Sequence, residues 1–169
     1  QFTKINEVPG LYENTKVLPK AWIVGKIKNV DSQRESLMEI LLSGFNPQNT
    51  AVVNNYTDSQ LPLYVDGEVQ VKSRTENIIE LVSTSNTGGL LVLSELYYSP
   101  GWKATVNGKE VPIFQTNHIL RSVRIPKGKS EIIFEYDISS WKTTKILSRV
   151  SFLSLLLALG ILFWKDKEK

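Results

Sequence analysis

The residues best placed to bind a ligand in this sequence are aromatic. Tyr97, Tyr98 and Trp102 surround a Ser-Pro-Gly run at residues 99–101, which is typical of a turn. Exposed aromatic rings on such a loop can stack on sugar rings, whose C–H faces are apolar. The alternative, favoured by the sequence alone, is that the rings fill the core and close one end of the domain. The two interpretations predict opposite exposures for the same side chains.

Other residue types offer no reactive set. His118 is the single histidine and the chain has no cysteine, which excludes an ordinary zinc site and a cysteine nucleophile. His118 lies in the run QTNHIL, where a loop or strand-end position is expected, and no Ser/Asp pattern suggests a triad. Acidic residues such as Glu131, Glu135 and Asp137 alternate with apolar ones, which indicates a solvated strand face. We therefore predict no catalytic residue, no metal site and no cofactor in this chain.

The elements that must position the aromatic residues are short β-strands between Leu61 and Asp137. Asp66-Gly67 and Asn107-Gly108 each lie between β-prone runs, as in tight hairpins whose turn residues need positive φ. Further strands are predicted at residues 78–83, 90–96, 120–125 and 131–136. About eight short strands separated by turn signals are typical of a mainly β fold. We predict an antiparallel β-sandwich or jelly-roll-like domain.

The N-terminal part of the chain is less regular. Residues 1–19 show no sustained period and are predicted to be a lead-in loop. Ala21–Val30 reads as a strand, and Asp31 or Ser32 can cap a short helix from residue 34 to residue 43. The apolar residues expected to share one face of that helix are Leu37, Ile40 and Leu41.

A long apolar run near the C-terminus predicts a membrane span. Residues 150–164, VSFLSLLLALGILFW, carry no charge, and an extension back to Ile146 gives a run of nineteen residues. At about 1.5 Å per residue this run spans about 28 Å, close to the thickness of the hydrocarbon core. The alternative is a buried helix of a soluble domain, which would show a wider polar stripe.

The flanks of the run resemble membrane interfaces. Trp141 and Trp164 bracket it as interfacial aromatic residues do, and Arg149 lies where a long side chain can reach the headgroups. We therefore predict a transmembrane helix at residues 141–164, followed by a charged tail at residues 165–169. The domain before the helix is expected to occupy residues 20–140.

Charge excludes one class of partner and leaves the topology open. The formal net charge is +3, and the basic residues are scattered, so nucleic-acid binding is not expected. Three basic residues stand on each side of the apolar run, so the positive-inside rule does not orient the helix. The chain does not begin with methionine, which favours the end of a longer polytopic protein over a tail-anchored one.

The run from Gly88 to Tyr136, followed by the apolar segment, resembles the C-terminal end of the YfhO family of bacterial membrane proteins. The residues that carry the resemblance are Tyr97, Tyr98, Pro100, Gly101, Trp102, Ala104, Val106, Asn107, Gly108, Lys109, Asn117, Arg121, Val123, Pro126 and Gly128. LPKAWIV at residues 18–24 is similar to the family's entry into this domain. Two departures are Asn107, where aspartate is commoner, and Ser99, which is inserted beside the Pro-Gly-Trp run.

The resemblance implies a polytopic, GT-C-type glycosyltransferase that uses polyprenyl-phosphate sugars. It implies that the β domain is extracytoplasmic and precedes the last transmembrane helix in the bacterial cell membrane. It also implies that the acidic catalytic residue lies in an early external loop that is not part of this chain. No residue of this chain therefore takes a catalytic role from the family.

We expect the chain to be the non-catalytic extracytoplasmic domain and last span of a protein that glycosylates cell-envelope polymers. The residues expected to contact a glycan or a partner are Tyr98, Trp102 and Arg121. The expected partners are the lipid bilayer, a cell-envelope glycan or polyprenyl-linked sugar, and the upstream membrane portion of the same protein. The alternative is a membrane-anchored β-sandwich with a binding or structural role unrelated to sugar transfer.

Overall fold

The computed structural model describes residues 2–5, 9–42, 44–58, 61, 65–137 and 139–167. The chain forms two compact units, Gln1–Glu135 and Tyr136–Lys169, which are described separately. The first unit is mainly β-structure with one short helix, and the second unit is dominated by one long helix.

The strands are short, as the sequence predicts. Their bounds are β1 Phe2–Lys4, β2 Tyr12–Asn14, β3 Ala21–Val24, β4 Lys26–Val30, β5 Thr50–Asn54, β6 Gly67–Arg74, β7 Ile78–Ser85, β8 Gly89–Leu96, β9 Trp102–Val106, β10 Lys109–Val111, β11 Phe114–Thr116, β12 Leu120–Ile125 and β13 Gly128–Tyr136. The helices are α1, Gln33–Leu41, and α2, Ser139–Lys167.

The strands form two large sheets and a hairpin. Five strands follow the order β10-β9-β13-β7-β6, and six follow the order β3-β8-β12-β11-β5-β4. The pairs β6–β7, β7–β13, β8–β12 and β11–β12 are antiparallel, whereas β4 and β5 run parallel. The mainly β, antiparallel fold is thus confirmed. Strands β1 and β2 pair as a hairpin inside the segment that the sequence predicted to be a loop, residues 1–19.

The two large sheets share one apolar core, as the layers of a sandwich do. Strand β13 alternates, so that Ile132 and Phe134 are buried while Glu131 and Glu135 are exposed. This alternation confirms the solvated face predicted from the acidic residues. The core residues from both sheets are Ala21, Ile79, Leu81, Leu91, Leu93, Ala104, Val106, Val123, Ile125, Ile132 and Phe134.

The six-stranded sheet curls so strongly that its two edges approach each other. Strands β3 and β4 are its opposite edge strands, yet only Gly25 separates Val24 from Lys26. Because consecutive Cα atoms are about 3.8 Å apart, Val24 and Lys26 lie within about 7.6 Å of each other. The predicted single strand at residues 21–30 is therefore two strands. A second apolar cluster fills the other face of this sheet, formed by Val24, Ala51, Val53, Leu90, Val92 and Phe114.

Helix α1 begins at Gln33, one residue before the predicted start, and it packs differently from the prediction. Ser32 is its N-cap and accepts a hydrogen bond from the Glu35 backbone N–H at 3.2 Å. The predicted apolar face does not pack as expected, since the side chains of Leu37 and Leu41 are 38% and 70% exposed. Ser36 is the buried residue of the helix, and its hydroxyl accepts a hydrogen bond from the His118 backbone N–H. The helix ends at Leu41, and the predicted end at residue 43 lies outside the described residues.

The two predicted glycine turns have different outcomes. Asn107 and Gly108 both have positive φ, 51° and 75°, and connect β9 to β10 as a tight hairpin. Gly67 instead begins β6 and pairs with Ser85, so the predicted turn at residues 66–67 is wrong. A Cβ atom on Gly67 would lie 2.6 Å from the carbonyl oxygen of Thr84, which explains why this position requires glycine. Of the strand predicted before it, residues 62–64 lie outside the described residues.

Two predicted connections cross between the sheets. Strand β7 belongs to the five-stranded sheet, and β8, the next strand along the chain, belongs to the six-stranded sheet. Strands β12 and β13 likewise lie in different sheets. These crossings bring the end of β8, the start of β12 and the end of β13 to one end of the sandwich. That end carries the aromatic turn.

The second unit contains α2, which has the length and composition of a membrane span. Within it, Trp141–Ile161 is the one stretch of the described residues that is long and apolar enough to cross a bilayer. At about 1.5 Å per residue its 21 residues extend about 31 Å. The Ser154 hydroxyl donates a hydrogen bond to the Ser151 carbonyl oxygen at 2.8 Å, so the helix satisfies this polar group itself.

Candidate functional site

Trp102 is the centre of the candidate site. It begins β9 directly after the turn, where Gly101 adopts a φ of 91° that favours glycine. The guanidinium carbon of Arg121 lies 4.1 Å from the centroid of the Trp102 ring. The same carbon lies 5.8 Å from the Phe134 ring, which is fully buried. Two of the three residues predicted to contact a ligand are thus in direct contact with each other.

Arg121 is an unusual core residue. Its side chain faces the sandwich interior, its residue exposure is 4%, and its Nε and Nη1 atoms have no hydrogen-bond partner. Burial lowers the pKa of Arg121, and the nearby negative charge of Glu95 partly opposes that shift. The guanidinium remains charged at physiological pH because the ordinary pKa of arginine is so high. A buried charge of this kind is costly, so the contact with Trp102 is a major stabilising feature of its environment.

Tyr98 completes the predicted set. Its side chain is 53% exposed, and together with Trp102 it lines a cavity of about 210 Å³ that also includes Tyr97 and Glu110. Trp102 itself is half-buried. The aromatic turn therefore combines both interpretations of the sequence, since Trp102 packs on Arg121 with part of its surface and borders a cavity with another part. The ligand contacts themselves stay a prediction.

A charged cluster that the sequence did not reveal adjoins Trp102. The Nζ atom of Lys20 and the Nη2 atom of Arg74 lie 2.6 Å and 2.8 Å from the same oxygen of Glu95. This Oε1 atom is buried and lies between the two cations. The three residues are far apart in the chain, and no local spacing signals their association. Glu95 and Arg74 line a second cavity, of about 390 Å³, which is also bordered by Trp102.

A third cavity, which shares Val111 and Pro112 with the cavity lined by Tyr98, has a different character. It measures about 500 Å³ and is bordered by Arg124, Asp58 and two lysines, with no aromatic side chain among the described residues that line it. The Nη1 atom of Arg124 lies 3.3 Å from the Oδ1 atom of Asp58. Burial and the charge of Asp58 raise the pKa of the neighbouring Tyr56 hydroxyl, while Arg124 acts in the opposite direction.

His118 lies in a turn, and the described acidic residues form no metal-binding group with it. His118 lies in the turn between β11 and β12 with a φ of 71°, as the loop prediction required, and its Nδ1 atom is 3.1 Å from the Gln33 carbonyl oxygen. Among the described residues, no group of three or more His, Cys, Asp or Glu side chains is arranged to hold a metal ion.

The residues predicted to lie at the membrane interface are all on α2. Trp141 and Trp164 are 60% and 68% exposed within this unit, and Arg149 is also exposed. The Nζ atom of Lys145 lies 5.0 Å from the ring centroid of Trp141. These exposures suit contact with lipid, and the interface assignment stays a prediction.

Comparison with known proteins identifies the segment that carries this site. A family model described as bacterial membrane protein YfhO matches residues 65–148, which contain β6 to β13, the aromatic turn and the first part of α2. Comparisons with curated proteins and with solved structures gave no match. The family and the candidate span together indicate a membrane protein. Through residues 65–148 the chain belongs to the YfhO family of bacterial membrane proteins, as the aromatic turn and the apolar helix predicted.

Proposed function

We propose that this chain forms the non-catalytic extracytoplasmic domain and the last membrane span of a larger, polytopic YfhO-like protein. That protein would use polyprenyl-phosphate sugars to glycosylate cell-envelope polymers, and this domain would hold the glycan acceptor. The domain would comprise residues 20–140, with residues 141–164 crossing the membrane and residues 165–169 forming a charged tail.

The observation that carries this proposal is the cavity lined by Tyr98 and Trp102. Aromatic rings at the surface of a cavity bind sugars through their apolar C–H faces, while charged side chains at the margin accept and donate hydrogen bonds to the hydroxyl groups. Lys103 and Glu110 border this cavity and supply one donor and one acceptor. Arg121 stacks on Trp102 and limits the movement of the ring.

A titration with cell-envelope polysaccharide tests the proposal. The full chain, reconstituted in lipid nanodiscs, is titrated with polysaccharide purified from the envelope of its own bacterium. We expect Tyr98→Ala to weaken binding by about tenfold, equivalent to the loss of about 1.4 kcal/mol of stacking and burial. Tyr98 is exposed, so the substitution leaves the unfolding temperature nearly unchanged.

Tyr12→Ala is the matched control for this titration. Tyr12 is 57% exposed, close to the 53% of Tyr98, but it lies on β2 in the separate hairpin. Equal loss of affinity in both variants would contradict a site at the aromatic turn. A wild-type chain that binds no polysaccharide would overturn the proposal and support the alternative of a membrane-anchored module unrelated to sugar transfer.

The side of the membrane is tested by chemical labelling. The chain contains no cysteine, so a single Lys72→Cys substitution on the exposed surface of β6 creates a unique thiol. We expect a membrane-impermeant maleimide to label this thiol in intact cells as fully as in lysed cells. Labelling only after lysis would place the domain in the cytoplasm and contradict the proposal.

A further inference from the structure

We infer that the aromatic end of the sandwich binds two consecutive units of a glycan chain, one on each side of Trp102. This inference rests on the proposed function and adds to it the length of the ligand and a second set of contact residues. Its starting point is that Trp102 is the one described residue that borders both cavities at this end.

The sheet order places the two cavities on opposite sides of the Trp102 strand. Strand β9 lies between β10 and β13, and β7 and β6 follow beyond β13. The cavity that contains Tyr98 is bordered by residues of β10, whereas the second cavity is bordered by Arg74 of β6 and Ile79 of β7. A ligand that fills both cavities must therefore pass across Trp102.

The second cavity has the chemistry of a polar sugar subsite. Its lining combines the guanidinium of Arg74, the hydroxyl of Thr75 and the carboxylates of Glu76 and Glu95 with the apolar side chain of Ile79. Sugar hydroxyls both donate and accept hydrogen bonds, so they match a mixed set of acidic and basic groups. A single phosphate or carboxylate ligand would instead favour a cavity lined by cations alone.

The Glu95 carboxylate is preorganised for this role. Lys20 and Arg74 approach one of its oxygens, and Lys20 also donates a hydrogen bond to the Ser94 carbonyl oxygen at 2.6 Å. The Glu95 side chain is 19% exposed and lies in the cavity wall. Fixed polar groups lose little conformational freedom on binding, which favours affinity for a ligand with matching hydroxyls.

Arg121 explains why one ring can serve two units. The guanidinium stacks 4.1 Å from the Trp102 centroid and covers one face of the indole. The opposite face and the edges are then the surfaces that a ligand can contact. Because the indole is long, neighbouring units on either side can share it.

Titration with fragments of defined length tests the inference. The full chain in nanodiscs is titrated with size-fractionated fragments of its own bacterium's envelope polysaccharide, containing one, two or four repeating units. We expect two units to bind about tenfold more tightly than one, because a second set of charged hydrogen bonds forms. Four units are expected to add little beyond two.

Two variants assign this length dependence to the second cavity. Glu95→Gln and Arg74→Gln should each reduce the gain from one to two units to about threefold or less, with single-unit binding retained. Arg74 is 58% exposed in its side chain, so its substitution is not expected to unfold the domain. Glu68→Gln, on the exposed face of β6, is the matched control and should keep the full gain.

The outcomes separate the two proposals. If one unit binds and two units bind no more tightly, the inference is overturned while the proposed function stands. If the gain persists in both variants, the second unit binds elsewhere and the inference is also overturned. If no fragment of any length binds, the proposed function itself fails.

Discussion

Two polar side chains with apolar surroundings, Arg121 in the β unit and Ser154 in α2, differ in how their hydrogen-bonding groups are satisfied. Arg121 is buried with two donor atoms unpartnered, and its charge is stabilised by the rings of Trp102 and Phe134. Ser154 lies in a run suited to lipid, and its hydroxyl donates to the carbonyl oxygen one turn earlier. The β unit therefore buries a polar group without enough hydrogen-bond partners, whereas α2 supplies a partner for its polar group from the same helix.

The difference reflects what each environment requires of a polar group. Unsatisfied buried polar groups usually lower stability, so a protein that retains one often gains a function from it. Here the group lies behind the ring that borders both cavities. A transmembrane helix has no such freedom, because every polar group in the hydrocarbon core needs a partner within the protein.

Removal of the Trp102 ring, which stacks on Arg121, is expected to have the largest effect on the stability of the β unit. Trp102→Ala should lower the free energy of unfolding by about 3 kcal/mol, because it removes a large half-buried side chain and leaves Arg121 without its stacking partner. Chemical denaturation of the full chain in detergent, followed by the circular dichroism of the β unit, measures this loss. The control Tyr98→Ala should cost less than about 0.5 kcal/mol. Equal costs would show that Trp102 has no special structural role.

A charge within α2 tests the membrane side. Leu153→Arg, near the middle of the candidate span, should disfavour insertion by about 3 kcal/mol because arginine is poorly solvated there. The fraction of chain that stays with membranes after alkaline extraction should fall, whereas the control Leu153→Ile should keep it unchanged. Full retention of the arginine variant would contradict a lipid-exposed span.

Replacement of Arg121 tests whether its buried charge stabilises the β unit. Arg121→Met keeps an extended side chain but removes two unpartnered donors, so the lost cation–π contact is offset by the lost desolvation cost. We expect a free energy of unfolding within about 1 kcal/mol of the wild type. A loss greater than about 2 kcal/mol would mean that the guanidinium stack is mainly structural.

The smallest effect is expected for the satisfied hydroxyl. Ser154→Ala removes a group that bonds only to its own helix, so the retention of the chain in membranes should change by no more than about 0.5 kcal/mol. A large decrease in alkaline extraction assays would show that Ser154 contacts another helix. That result would mean that Ser154, like Arg121, depends on contacts outside its own element.

Features decided by neighbouring residues were predictable from the sequence. The Asn107-Gly108 turn and the helix cap each depend on backbone conformation within four residues; the turn was predicted, and the cap was one of two predicted candidates, Asp31 or Ser32. The turn predicted at Gly67 failed because glycine is required there by the close approach of Thr84 from another strand. A local pattern cannot distinguish these two uses of glycine.

The site was predictable only in part, for the same reason. Tyr98 and Trp102 stand close together in the sequence, but the aromatic run alone favoured a core position over a surface for a ligand. Glu95 forms ion pairs with Lys20, which directly precedes β3, and with Arg74, at the end of β6, and both are distant from it in the chain. The partners of each strand were equally hidden, since β7 and β8 follow each other in the chain but belong to different sheets.

The single-residue connection between β3 and β4 has a consequence for synthesis of the domain. Strand β3 pairs with β8, whereas β4 pairs with β5, which is only about 20 residues further along the chain. An emerging chain can therefore form the β4–β5 contact early, but the partners of β3 on β8, residues 90–93, are made much later. The earliest strand of the large sheet is thus completed late, at the entropic cost of a long closed loop. Until β8 has been made, the exposed edge of β3 is open to pairing with other chains.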